Sequence, residues 1–408
     1  MACLSLAMQK STTSVLLHKL SFLLLWSLFI LNSCKDDDTK LVPPKEENVY
    51  LKESTSIKTL TRDQVIQQAG TLGGIAAGYV KNDIKVYKIT YKTKNTDGAE
   101  ITASGALILP VVTGPVSMIS VQHGTIRNPK EAPSLFADNS EAASFGSLFG
   151  SMGYVIAYPD YIGYGASENL PHPYEHRASL ASASLDMLRA AKEFLRGQTE
   201  VKWNEKLYVA GYSEGGFATM SLQRKIEEEA SSEFNLRASS CGAGAYDKTA
   251  FMKYIVNSPT EGTYNSLYLW VLLSYDRIYK LSKPSTYYFP EKYASQIAQN
   301  GINVNINESF SSILNDSFKK ALNDGTDKGF IDAIGDNDVY KFKPKTPTRL
   351  YHGDKDPLVF YFNSVNALNA MKAAGATNVE LFTVKGGTHS SSIFTFLLGT
   401  QQFFADTQ

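Results

Sequence analysis

From about residue 60 onward the chain alternates short apolar runs with longer stretches of helical periodicity. Residues 84–91 and 100–109 alternate apolar and polar positions with the period of two of a strand that has one buried face. The turn-forming Asn95-Thr96-Asp97-Gly98 lies between them, so the spacing predicts an antiparallel hairpin. Beyond it, residues 116–122, 154–158, 207–210, 238–245, 348–352 and 379–384 are short runs rich in Val, Ile and Tyr and read as buried strands. Residues 61–77, 178–195, 216–226 and 363–374 carry apolar positions at helical spacing. Strands and helices in alternation predict an α/β fold, a mostly parallel central sheet flanked by helices on both faces.

About 100 residues separate the runs at 238–245 and 348–352, far more than a plain connection needs. Tyr264, Leu267, Tyr268, Val271, Tyr275 and Ile278 recur there at helical spacing, which predicts a helical cap inserted at about 247–340. Trp270, Tyr287, Tyr288 and Phe289 add aromatic bulk, read as cap core that also shapes an apolar pocket over the strand ends. Residues 324–338 are rich in Asp, Gly and Asn without the order of a calcium loop, and read as a turn.

The first 60 residues follow another pattern. Lys10, His18 and Lys19 form a basic edge before the apolar run 20–31, which is too short for a permanent membrane span and precedes Ser33 and Cys34. Residues 1–33 therefore read as a signal peptide. The placement of Cys34 resembles a bacterial lipobox, which implies lipidation of that thiol. Residues 34–60 are polar, with Pro43 and Pro44, and read as a flexible tether. Asp36, Asp37 and Asp38 just after the cysteine resemble the surface-export signal of Bacteroidetes lipoproteins. A solvated linker is the equal alternative for this acidic run, so the implied location is the cell envelope, lipid-anchored at the outer membrane, with the periplasmic and surface sides both open.

Composition narrows the function. The 408 residues are 43% hydrophobic, with 40 Lys+Arg against 40 Asp+Glu, so a large core is available and no global field draws nucleic acid. Three cysteines cannot staple a scaffold, and no Cys-x-x-Cys or His-Glu-x-x-His run suggests zinc. Neither a metal nor an organic cofactor is expected.

The candidate chemistry starts at residues 206–216, an apolar strand running through Gly211-Tyr212-Ser213-Glu214-Gly215 into a helix. A serine on such a turn is exposed, but its hydroxyl is a poor nucleophile unless an imidazole takes its proton and a carboxylate orients that imidazole. Past residue 33 the histidines are His123, His172, His176, His352 and His389. His389 follows the last predicted strand in Gly386-Gly387-Thr388-His389. Upstream, the run 348–352 ends in His352-Gly353-Asp354-Lys355-Asp356, which puts carboxylates in a loop at a strand's end.

These motifs resemble the α/β-hydrolase superfamily over most of residues 60–408. The order Ser213, Asp356, His389 is its nucleophile, acid and base order, and its spacing after the glycine selects Asp356 over the rival Asp354. Two oxyanion donors are implied. One is the backbone N–H of Glu214; the other is that of Thr125, with Gly124 as alternative, in a stretch 120–125 that resembles the family's oxyanion loop. Residues 158–167 resemble its Asp-x-x-Gly-x-Gly-x-Ser loop, with Asp160 structural. His123 reads as ordering its loop and His352 as structural, and Pro173 disfavours His172 and His176 as a metal pair. The motifs are most similar to secreted lipases and carboxylesterases. That resemblance implies a serine hydrolase acting through an acyl-enzyme on small-molecule, lipid or acylated-sugar esters. A prolyl-oligopeptidase-like peptidase and a non-catalytic surface-binding lipoprotein are the alternatives.

Overall fold

The computed structural model describes residues 47–408 and is built on a nine-stranded sheet in the order β1-β2-β3-β5-β4-β6-β7-β8-β9. The predicted hairpin is β2 (Ile84–Lys94) and β3 (Glu100–Pro110), paired without slippage from Ile84 opposite Pro110 to Lys94 opposite Glu100. β4 (Pro115–Gln122), β5 (Val155–Pro159), β6 (Lys202–Tyr212), β7 (Asn235–Gly242), β8 (Thr348–Gly353) and β9 (Val379–Val384) then run parallel to one another.

One expectation is corrected at the edge. Residues 51–60, read as tether, form β1 (Leu51–Leu60), antiparallel to β2 from Leu51 opposite Tyr91 to Leu60 opposite Ile84. Most of its side chains are exposed, so the strand is held by main-chain hydrogen bonds and leaves no apolar alternation to read. Its start is pinned by the Glu193 carboxylate, which accepts from the N–H groups of Val49, Tyr50 and Leu51 at 2.7–3.2 Å. The signal segment, Cys34 and the first part of the expected tether lie outside the described residues.

The helix expected over 61–77 divides into α1 (Arg62–Gln68), opened by a capping box between Thr61 and Gln64, and α2 (Gly70–Ala76). The break falls where Gly70 takes φ +54°. A π-turn, Ala142–Gly146, leads into the short α3 (Ser147–Ser151). α4 (Arg177–Arg196) and α5 (Glu214–Glu229) follow β5 and β6.

β6 shows how the sheet separates its faces. Leu207 and Val209 pack with Leu185 and Leu188 of α4 and with Leu222 and Ile226 of α5. Tyr208 and Ala210 point the other way, toward Leu148 of α3 and toward Phe396 and Phe404 near the C-terminus. Each Leu, Val, Ile or Phe among them, fully buried, contributes roughly 1.5–3 kcal/mol of transfer free energy.

Between β7 and β8 stand six α-helices: α6 (Lys248–Asn257), α7 (Asn265–Ile278), α8 (Ser285–Tyr288), α9 (Glu291–Asn300), α10 (Asp316–Asn323) and α11 (Lys328–Asp336). They form their own core, in which Tyr288 meets Phe318 edge to face with ring centroids 5.0 Å apart. α11 corrects the turn expected over 324–338. Asp327 caps it by accepting from the Phe330 N–H at 3.2 Å, and Phe330, Ala333 and Ile334 bury one face. The polar residues around that face masked its spacing. α12 (Phe362–Ala373) and α13 (Ile393–Asp406) complete the fold.

Candidate active site

Ser213 stands where β6 turns into α5, with φ +61° and ψ −124°. An L-residue there is strained by about 1–3 kcal/mol and persists only where its surroundings over-determine it. Glycines make the turn possible. A Cβ on Gly215 would lie 2.0 Å from the Gln122 carbonyl oxygen, one on Gly211 2.4 Å from the Gly215 oxygen, and one on Gly216 2.1 Å from the Gly242 oxygen. The Ser213 N–H donates to that Gly242 oxygen at 2.9 Å.

The loops after β8 and β9 bring two of the predicted residues to this serine. His389 Nε2 lies 2.9 Å from Ser213 Oγ, and His389 Nδ1 lies 2.6 Å from Asp356 Oδ2. Asp356 Oδ1 accepts from the N–H groups of Leu358 and Val359, each at 2.9 Å. Burial alone would raise the Asp356 pKa. Hydrogen bonds from His352 and His389, with their charge, more than offset it and hold the carboxyl well below the usual range. An ionised Asp356 only accepts, so Nδ1 of His389 carries the ring proton and Nε2 is free to accept from Ser213.

Asp354, the rival acid, instead accepts from the Gly386 N–H at 2.7 Å and braces the loop that carries His389. His352 donates from Nε2 to the Val359 carbonyl at 2.7 Å and also lies 3.3 Å from Asp356 Oδ2.

The loop after β4 passes beside the serine, since a Cβ on Gly124 would stand 4.0 Å from Ser213 Cβ. His123 is buried, with Nδ1 2.7 Å from the Gly124 oxygen and Nε2 3.0 Å from the Asp160 oxygen. Thr125 Oγ1 and Tyr174 Oη share a hydrogen bond of 2.9 Å.

Sequence reasoning missed Glu141, which precedes the π-turn. Its carboxylate accepts from the Gly124 N–H at 3.2 Å and from the Tyr158 hydroxyl at 3.0 Å. Burial pushes its pKa up, against the opposing pull of His123, Tyr158 and Gly124. No local motif marks this residue, 72 positions before Ser213 in an irregular stretch.

The Glu214 backbone N–H is in the first turn of α5, where a helix leaves its donors without intrahelical partners. Its buried side chain meets His172 Nε2 at 2.7 Å, while His172 Nδ1 donates to the Ile162 carbonyl at 2.7 Å. Asp160 is fully buried, accepting from Ser104 Oγ at 2.5 Å and from the Ser134 N–H at 2.7 Å. His176 caps α4, and burial lowers its pKa to about 4. Among the described residues no three His, Cys, Asp or Glu side chains gather as a metal site.

A cavity of about 270 Å³ opens from Ser213, His389 and Thr125. Its walls are Ile119, Val121 and Ala210 of the sheet, Phe145 and Phe149 on one side, and Phe396 and Leu397 of α13 on the other. On the cap side, the space touching Ser213 is only about 20 Å³. Cap helices thus shape part of the apolar pocket, and the sheet, the π-turn with α3, and α13 shape the larger part. Leu267 of α7 reaches the large cavity, Phe251, Tyr268 and Val271 line the small one, and Trp270 stacks on Tyr174 at 4.5 Å.

Comparison with known proteins agrees with this architecture. The secretory lipase family profile matches residues 145–397. No curated protein sequence matches the chain. Among solved structures, the rice cell wall degrading esterase LipA of Xanthomonas oryzae is 25% identical, with a TM-score of 0.72 over 86% of this chain and 95% of its own. A protein from Legionella pneumophila described only as a hydrolase is 24% identical, with a TM-score of 0.78 over 88% of this chain and 98% of its own. Lipase A of Candida antarctica in its closed state shares the fold at 15% identity, with a TM-score of 0.62 over 88% and 81% of the two chains. A secretory family implies export, and among the described residues no helix is long and apolar enough to cross a membrane. With an α/β-hydrolase sheet, a serine at its strained turn and a family match over more than half its length, the chain belongs to the secretory lipase family and is an ester-cleaving hydrolase.

Proposed function

We propose that Ser213, His389 and Asp356 are the catalytic triad of a carboxylesterase or lipase that works through an acyl-enzyme. The observation that carries this reading is the unbroken hydrogen-bonded chain from Ser213 Oγ through His389 to Asp356, set at a turn that exposes the hydroxyl. His389 Nε2 accepts the hydroxyl proton while Oγ bonds to the ester carbonyl carbon. The tetrahedral intermediate collapses as the same proton passes to the leaving alcohol, and water then repeats the sequence to release the acid. Asp356 holds the imidazole in the required tautomer and balances its charge in the transition state.

The oxyanion donors are the N–H groups of Glu214 and Thr125. Thr125 is preferred over Gly124 because the Gly124 N–H is already directed at Glu141. Signal cleavage, acylation at Cys34 and anchoring on the outer membrane complete the proposal, with lipid or acylated-sugar esters as substrates.

Three experiments test it. A fluorophosphonate probe should label the wild type and not Ser213→Ala; equal labelling would remove Ser213 as nucleophile. Turnover of nitrophenyl esters should exceed that of aminoacyl anilides, and the reverse would make the enzyme a peptidase. Metabolic labelling with a fatty-acid analogue should be lost in Cys34→Ala.

A further inference from the structure

The cavity below Ser213 does not end in the core. A second space of about 40 Å³ lies beyond it, and the two share Phe145, Phe149 and Leu397 as walls. These three side chains are half-buried, so the partition is made of side chains and not of backbone. The outer space is lined by Leu72, Ile75 and Tyr79 of the α1–α2 segment, Met152 after α3, and Phe394 and Leu398 of α13, with Gln401 at its edge. Ile75, Tyr79, Phe394 and Leu398 are 51%, 52%, 37% and 43% exposed, an apolar cluster on the surface that calls for an occupant. The π-turn and α3 run between the two spaces: Glu141, Phe145 and Phe149 all face the inner cavity, with Glu141 at the oxyanion loop and Phe149 at the partition.

We propose that the outer groove between α2, α3 and α13 is the distal half of the acyl site and that the end of a long, straight acyl chain emerges there at the surface. The inference rests on the reading of Ser213 as nucleophile. Its occupant follows from continuity, because the groove adjoins an apolar cavity whose other end is the acylated oxygen. Size sets the division. A cavity of about 150 Å³ takes benzene, so the inner 270 Å³ takes a chain on the order of ten carbons. Longer chains must displace Phe149 or Leu397 by a rotamer change and continue into the groove. Each further methylene housed there strengthens binding by roughly fourfold.

The test is kcat/KM for nitrophenyl esters from acetate to hexadecanoate, kept below their aggregation limits, in the wild type, Leu397→Ala and the surface double variant Ile75→Glu/Leu398→Glu. Leu397→Ala should raise the ratio of C14 to C8 turnover several-fold, and the double variant should lower it at least tenfold. Identical chain-length profiles in all three proteins would overturn the proposal. The same esters presented as emulsions form a second arm: a loss in the double variant that appears only there, and equally at every chain length, would also overturn the proposal and make the cluster a docking patch for a lipid surface. Failure of the catalytic reading is separately visible as absent acetate turnover and absent probe labelling. Calorimetric binding of hexadecanoate needs no turnover: it should weaken at least tenfold in the double variant, and unchanged affinity would again overturn the groove.

Discussion

Replacing Asp356 by Asn tests the tautomer argument at a single atom. Asp356 Oδ1 accepts from two backbone N–H groups at 2.9 Å, so an asparagine at 356 keeps its carbonyl oxygen there and turns its amide NH₂ toward His389. At 2.6 Å that NH₂ requires an acceptor, which drives the ring proton from Nδ1 to Nε2. Nε2 then presents a donor to Ser213 Oγ, at 2.9 Å, and cannot take its proton. Loss of the correct tautomer costs about 10⁴-fold in kcat, or about 5 kcal/mol of transition-state stabilisation. The substitution is isosteric and keeps both backbone bonds, so KM should change little and the protein should stay folded, with its midpoint lowered only by the loss of the Asp356 charge. The assay is kcat and KM on a short-chain nitrophenyl ester at pH 7.5, with the rate of fluorophosphonate labelling and the thermal midpoint measured beside it. A kcat within tenfold of wild type would refute the reasoning, because the acid would then be dispensable or lie elsewhere.

Three further outcomes are expected. Gly215→Ala forces a Cβ to 2.0 Å from the Gln122 oxygen and should destabilise the fold by about 3 kcal/mol, read as a lower denaturant midpoint; an unchanged midpoint would contradict the described turn. Glu141→Ala strands the Gly124 N–H and should cost about 1–3 kcal/mol of stability, together with a fall in kcat at unchanged KM; loss of stability alone would make Glu141 structural and remove it from the oxyanion loop's support. Because the folded pKa of Asp356 is depressed, the stability its charge contributes is fully present above the unfolded carboxyl value near pH 4 and is lost as pH falls through the lower folded value. Urea midpoints of the wild type and Asp356→Asn should therefore converge below about pH 4, and a constant difference would refute the assigned ionisation.

What the sequence determined by itself is what short-range chemistry fixes. The parallel strands were legible because buried β-runs such as 207–210 carry their own apolar signature, and the edge run 379–384 keeps a β-branched and aromatic one. The turn at Ser213 was legible because only glycines tolerate the approach of Gln122 and Gly242, and the base was narrowed by the scarcity of histidine.

Tertiary structure decided everything that depends on partners far apart in the chain. β1 exists through hydrogen bonds to β2, and its exposed side chains record nothing of that pairing. The choice between Asp356 and Asp354 became a matter of which carboxylate the fold turns toward His389 and which it turns toward the Gly386 N–H. Glu141 joined the site because a π-turn brings its carboxylate to Gly124, and the acyl-sized cavity arose where Phe145 and Phe149 face α13 across about 250 residues of sequence. Local pattern encodes which face of an element is apolar. Only the packed fold decides which apolar faces meet and which of them leave room for a substrate.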